Sequence, residues 1–132
     1  MGETTRRVVV AGLAALPLTA CAAHSLETGG MYGLIGTMKV QPGKRAELSA
    51  ILLEGLRDMP GNLSYIVADD PADVDKLWIT EVWTDPESHL ASLKLPSVQA
   101  AIGKGRPMIA AMDRVAETRP VGGQGLLASG KA

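Results

Sequence analysis

Phenylalanine is absent from this chain, and its aromatic residues are two Trp and two Tyr in 132 positions. The interior must therefore be built mainly from aliphatic residues, and a hydrophobic content of 46% supplies enough of them for one small domain. Cysteine occurs once, as Cys21, which excludes an intrachain disulfide. The two histidines, His24 and His89, stand far apart, and no Cys, His and Asp cluster has ligand spacing, so no metal is expected. The net charge is -1, with no basic stripe interleaved with aromatics. That excludes nucleic acid as a partner and disfavours phosphate-rich ligands. Gly30, Gly33 and Gly36 fall in a strand-like stretch with no helix opening behind them, so they form no dinucleotide fingerprint.

The N-terminus has the grammar of an export signal over residues 1–23. Arg6-Arg7 form a positive head, Val8 to Leu18 an apolar run, and Leu18-Thr19-Ala20-Cys21 a small-residue end. The run is too short for a mature transmembrane helix. The tetrapeptide resembles a bacterial lipobox, which makes Cys21 the candidate lipidation site and the lipid anchor the only expected membrane contact. Thr5-Arg6-Arg7-Val8-Val9 also resembles a twin-arginine signal. The plain alternative is an ordinary signal peptide cut near Ala20 or Ala23. Either route places the mature protein outside the cytoplasm.

Residues 24–30 read as a polar linker, 31–120 as the folded domain and 121–132 as a Gly-rich tail. The first strand runs from Met31 to Val40 and stops at Pro42-Gly43. Leu48, Ile51, Leu52, Leu56 and Met59 then recur at helical spacing, and the helix is expected to end at Pro60-Gly61. Strands follow over Asn62–Ala68 and Lys76–Thr84, separated by Asp69-Asp70-Pro71-Ala72-Asp73, a turn rich in breakers. Asp85-Pro86-Glu87 has the composition of a helix start. That second helix is expected to break at Leu95-Pro96, resume, and close at Gly103 and Gly105, before a weaker strand over Met108–Thr118. The order predicts an α+β, ferredoxin-like βαββαβ domain with an antiparallel sheet and its helices on one face. Alternation places Leu77, Ile79, Glu81 and Trp83 on one face of the third strand and Trp78, Thr80 and Val82 on the other. Both faces thus look buried, and a homodimer is expected to cover the face the helices leave.

Three of the four aromatics, Tyr65, Trp78 and Trp83, belong to the central hairpin. They share it with a carboxylate, Glu81, and an amide, Asn62. A hairpin of this kind suits the wall of an apolar pocket with a few inward polar groups. Glu81 in a two-sided strand must be paired, neutralised or functional. Its plain structural use is an ion pair with Arg106, Arg114 or Lys39. Tyr65 is either a phenolate-binding hydroxyl or an ordinary core tyrosine. Asn62 either donates to a substrate oxygen or finishes the turn after Gly61. His89 is the natural general base of the mature domain, unless it is a solvated helix residue. Trp78 and Trp83 point to opposite faces, so only one of these two candidate substrate-binding residues reaches a given pocket.

Pro60-Gly61-Asn62-Leu63-Ser64-Tyr65, followed by Glu81-Val82-Trp83 and an Asp85 helix start, resembles the antibiotic biosynthesis monooxygenase family, especially its small quinol monooxygenases. The similarity runs from about Met31 to about Leu126, with Arg119-Pro120-Val121-Gly122-Gly123 as a further echo. The resemblance implies a dimeric α+β barrel. It also implies an oxygenase without metal, flavin or haem that acts on a small quinol, anthrone or related phenol with O2. Many relatives carry a His later on the second helix, near the positions of Ser92 and Ser97 here, so their proton relay does not transfer to His89. Two alternatives stay open. Haem-degrading relatives use an Asn, a Trp and a His where this chain has Gly36, Ser92 and Ile102. A lipoprotein that only binds a small lipophile would have the same sequence features.

Overall fold

The computed structural model describes residues 30–126. The segment expected to be an export signal and Cys21 lie outside the described residues, as does the end of the tail. The elements are β1 (Tyr32–Val40), α1 (Arg45–Gly55), β2 (Asn62–Asp69), β3 (Lys76–Trp83), α2 (Pro86–Ser92), α3 (Pro96–Gly105) and β4 (Ile109–Thr118), with a 3-10 turn at Arg106–Met108 before β4. The strands form one sheet in the order β2-β3-β1-β4, and every neighbouring pair is antiparallel. This is the ferredoxin-like α+β plan that the sequence predicts.

Leu48 and Leu52 sit one turn apart on α1, and both are buried against Val40, Leu77 and Ile79 of the sheet. The helix ends at Gly55, earlier than the apolar spacing predicts. Beyond it the chain turns through Asp58, which adopts a positive φ of 53°. Met59 is still buried, but from the loop, against Trp83 and Val98. Gly55 faces Ala101, where a Cβ on residue 55 would lie 2.6 Å from the alanine methyl, so α1 and α3 approach closely there.

The expected break in the second helical region falls at Pro96, which opens α3. Asp85 caps α2 by accepting the Ser88 backbone N–H at 2.7 Å. The preceding turn is set by Gly61, at φ +80°, whose carbonyl accepts the Thr84 N–H at 2.8 Å.

On the far face of the sheet, the Trp78 indole N–H donates to Asp70 Oδ2 at 2.8 Å. Asp70 Oδ1 also accepts the backbone N–H groups of Ala72 and Asp73, and the Lys76 ammonium lies 4.8 Å over the Trp78 ring. These bonds, the indole first and the Ala72 amide next, hold the Asp70 carboxyl below the ordinary carboxylate range. A carboxyl with a lowered folded value contributes stability above its unfolded pKa, and that contribution is lost as pH falls through the folded value. Urea denaturation from neutral pH down into acid tests this. The stability gap between wild type and Asp70→Asn should narrow as pH falls, whereas a gap that stays constant would contradict the assignment.

Candidate active site

The sheet face under the helices is deepest where β1 and β3 run side by side. There Trp83 pairs with Tyr32 across the two strands, and Glu81 pairs with Leu34 on one side and Tyr65 on the other. Gly36, opposite Ile79 and Arg114, lines this part of the sheet with backbone alone, and a Cβ there would lie 3.0 Å from the Asp113 carbonyl oxygen. The result is a cavity of about 420 Å³ between the sheet and the helices. Its wall is mostly apolar, including Leu34, Met38, Leu52 and Ile102, with Tyr65, Glu81, Trp83, His89 and Arg114 among its polar groups. That balance is typical of a small-molecule site.

Within the cavity wall, Trp83 is 1% exposed and its indole N–H donates to Glu81 Oε2 at 2.8 Å. The same oxygen lies 4.0 Å from His89 Nε2, and the two side chains are 17% and 14% exposed. The His89 ring is flanked by Trp83, edge-on at 5.4 Å, and by Tyr32 at 5.7 Å. His89 is therefore a cavity residue rather than a solvated helix residue. The cations named in the ion-pair expectation for Glu81 are engaged elsewhere or uninvolved: Lys39 pairs with Asp73 at 2.6 Å and Arg114 with Glu117 at 3.4 Å. Burial, and then the nearby Glu81 charge, push the Tyr65 phenol far above its ordinary pKa. It remains a neutral hydrogen-bond donor throughout the physiological range.

Tyr65, Glu81, Trp83 and His89 thus come together from β2, β3 and α2. Asn62 and Trp78 do not join them. The Asn62 amide donates to the carbonyls of Ser64 and Val82, bracing the irregular pairing at the start of β2. Trp78 is engaged with Asp70 on the opposite face of the sheet. Arg114, named from the sequence only as a possible ion-pair partner of Glu81, lines the cavity, and Tyr32, not named there as a site residue, flanks the His89 ring. The alternation of Tyr32 with Leu34 was the available sign for the tyrosine, and the weak pattern of β4 gave none for the arginine.

The arrangement can accept a proton from a bound hydroxyl at Glu81 or His89, while Tyr65 offers a neutral hydrogen bond to the resulting oxyanion. Gly36, Ser92 and Ile102, the positions compared with haem-degrading proteins, all line the cavity, and none supplies a haem ligand. Among the described residues, no group of three His, Cys, Asp or Glu side chains is placed to hold a metal ion.

A family model described as antibiotic biosynthesis monooxygenase matches residues 31–104. A crystal structure of a proposed antibiotic biosynthesis monooxygenase from Chloroflexus aurantiacus J-10-fl is 64% identical, covers 73% of this chain and 98% of its own, and superposes with a TM-score of 0.70. One from Caulobacter crescentus CB15 is 23% identical, with 76% and 98% coverage and a TM-score of 0.65. Another, from Nitrosomonas europaea, is 14% identical, with 70% and 92% coverage and a TM-score of 0.63. The last two show likeness of fold alone. No curated protein matches the chain.

Proposed function

Since the chain belongs to the antibiotic biosynthesis monooxygenase family, we propose that it oxidises a small quinol, anthrone or related phenol with O2 and needs no resident cofactor. The observation that carries this reading is the meeting of Glu81, His89 and Tyr65 on one apolar cavity. Glu81 or His89 takes the substrate's acidic proton, and Tyr65 donates to the oxyanion. The electron-rich anion passes one electron to O2, and the resulting radical pair joins through a new carbon–oxygen bond. The bound peroxide regains a proton, and the carbon that carries it gives up its own hydrogen to the base as a proton. That C–H electron pair forms the carbonyl while the O–O bond breaks and hydroxide leaves, protonated to water. Apolar walls keep bulk water from quenching the anion. The decisive test is oxygen uptake with a panel of such phenols, set out at the close of the Discussion.

The reading includes a homodimer. Ile35, Thr80 and Ile66 form a row across the helix-free face of the sheet, with Val82 and Trp78 in the rows beside it. Ile66 is 53% exposed in the single chain. A second copy laid face to face covers this surface and buries its apolar area. Light scattering at micromolar concentration should give twice the chain mass for wild type and a lower mass for Ile66→Lys. A stable wild-type monomer would contradict the dimer. The reading also places the protein outside the cytoplasm, anchored through Cys21.

A further inference from the structure

We propose that Trp83 is a positioning residue that sets both members of the proton-handling pair, Glu81 through its indole N–H and His89 through its ring. The functional context rests on the oxygenase reading above, whereas the positioning itself rests on geometry.

Trp83 is held rigidly: it is buried among Met59 and Val98, with Leu56, Leu95 and Ile102 packed around that cluster. A buried indole needs an acceptor for its N–H. Here the acceptor is an ionisable group on the wall of a cavity, two residues back on the same face of β3. The bond engages Oε2, the oxygen nearest His89 Nε2, and so fixes the rotation of the whole carboxylate. With Oε2 taken by the indole, Oε1 is the oxygen left to receive a proton. The edge of the same indole lies against the imidazole, with Tyr32 on another side of that ring. One immobile side chain therefore determines where the carboxylate points and where the imidazole sits.

The other tryptophan shows how a purely structural use looks. Asp70, which accepts the Trp78 N–H, is also tied to two backbone amides in a loop and does not line the cavity. Among the described residues, the bond that Glu81 accepts comes from an indole side chain and not from the backbone.

The test replaces Trp83 by Phe and, in a second variant, by benzothienylalanine, which keeps the bicyclic shape and lacks only the N–H. In crystal structures of the substrate-free variants the Glu81 carboxylate should turn away from His89. With a hydroquinone substrate, kcat should fall about 10- to 100-fold, the effect of losing a hydrogen bond to a charged group, while KM stays nearly constant. Introduced into Glu81→Gln, the benzothienylalanine replacement should cost no further activity. A carboxylate that keeps its place would overturn the proposal, as would an equal loss in the Glu81→Gln background or an effect confined to KM. If wild type turns over no phenol, the oxygenase reading falls alone and the crystal structures still decide the positioning role.

Discussion

Glu81→Gln should lower the rate of quinone formation by about two to four orders of magnitude, the range for loss of a positioned proton acceptor. The substitution preserves size and leaves an amide oxygen to accept the Trp83 indole N–H, so the local packing survives. What disappears is the basic carboxylate that lies beside His89 and pairs with Tyr65 across the strands. Because the loss is confined to the proton-transfer step, kcat should fall while KM changes little. His89→Ala should reduce the rate in the same sense. A Glu81→Gln protein that turns over at the wild-type rate would remove the carboxylate from the chemistry.

The second large effect is expected at Gly61, which lies outside the cavity yet fixes its helical wall. A residue with a Cβ would be strained at φ +80°, and that Cβ would fall 2.4 Å from Ser88 Oγ and 2.5 Å from Ser88 Cβ. The left-handed backbone costs about 1–2 kcal/mol, and overpacking adds about 1–3 kcal/mol. Gly61→Ala should therefore lower stability by about 2–5 kcal/mol and move the urea midpoint down accordingly. The clash pushes on α2 at the residue before His89, so turnover should fall even where the variant is folded. An unchanged midpoint would mean that the turn and α2 absorb the extra methyl freely.

The fold was readable because its signals are local. Helical spacing at Leu48 and Leu52, strand alternation from Leu77 to Trp83, and the proline at position 96 each act over a few residues. The helix α1 ends earlier than its spacing predicts because Met59, which continues the apolar pattern, is buried from a loop instead of a helix. The site was half readable. Same-face alternation in β3 already set Glu81 beside Trp83, and a buried carboxylate next to an indole N–H needs no distant cation. The ion-pair expectation looked past that neighbour. The approach of His89 depends on how α2 crosses the sheet, and that of Tyr32 on the register between β1 and β3. Both are tertiary facts that no short window of sequence contains. Asn62 looked functional because amides suit oxyanions, yet here its donors brace the start of β2.

The central claim is that this cavity couples removal of a phenolic proton to reduction of O2. The measurement that reaches it most directly is oxygen uptake by the purified protein under 18O2, with a panel of hydroquinones, anthrones and related phenols, with chelator present and metals excluded. The account predicts uptake well above buffer for at least one member of the panel, with one labelled atom retained in the product and the other released as water, and near abolition in Glu81→Gln. Uptake no greater than buffer across the whole panel would contradict it and favour a protein that binds its ligand without transforming it.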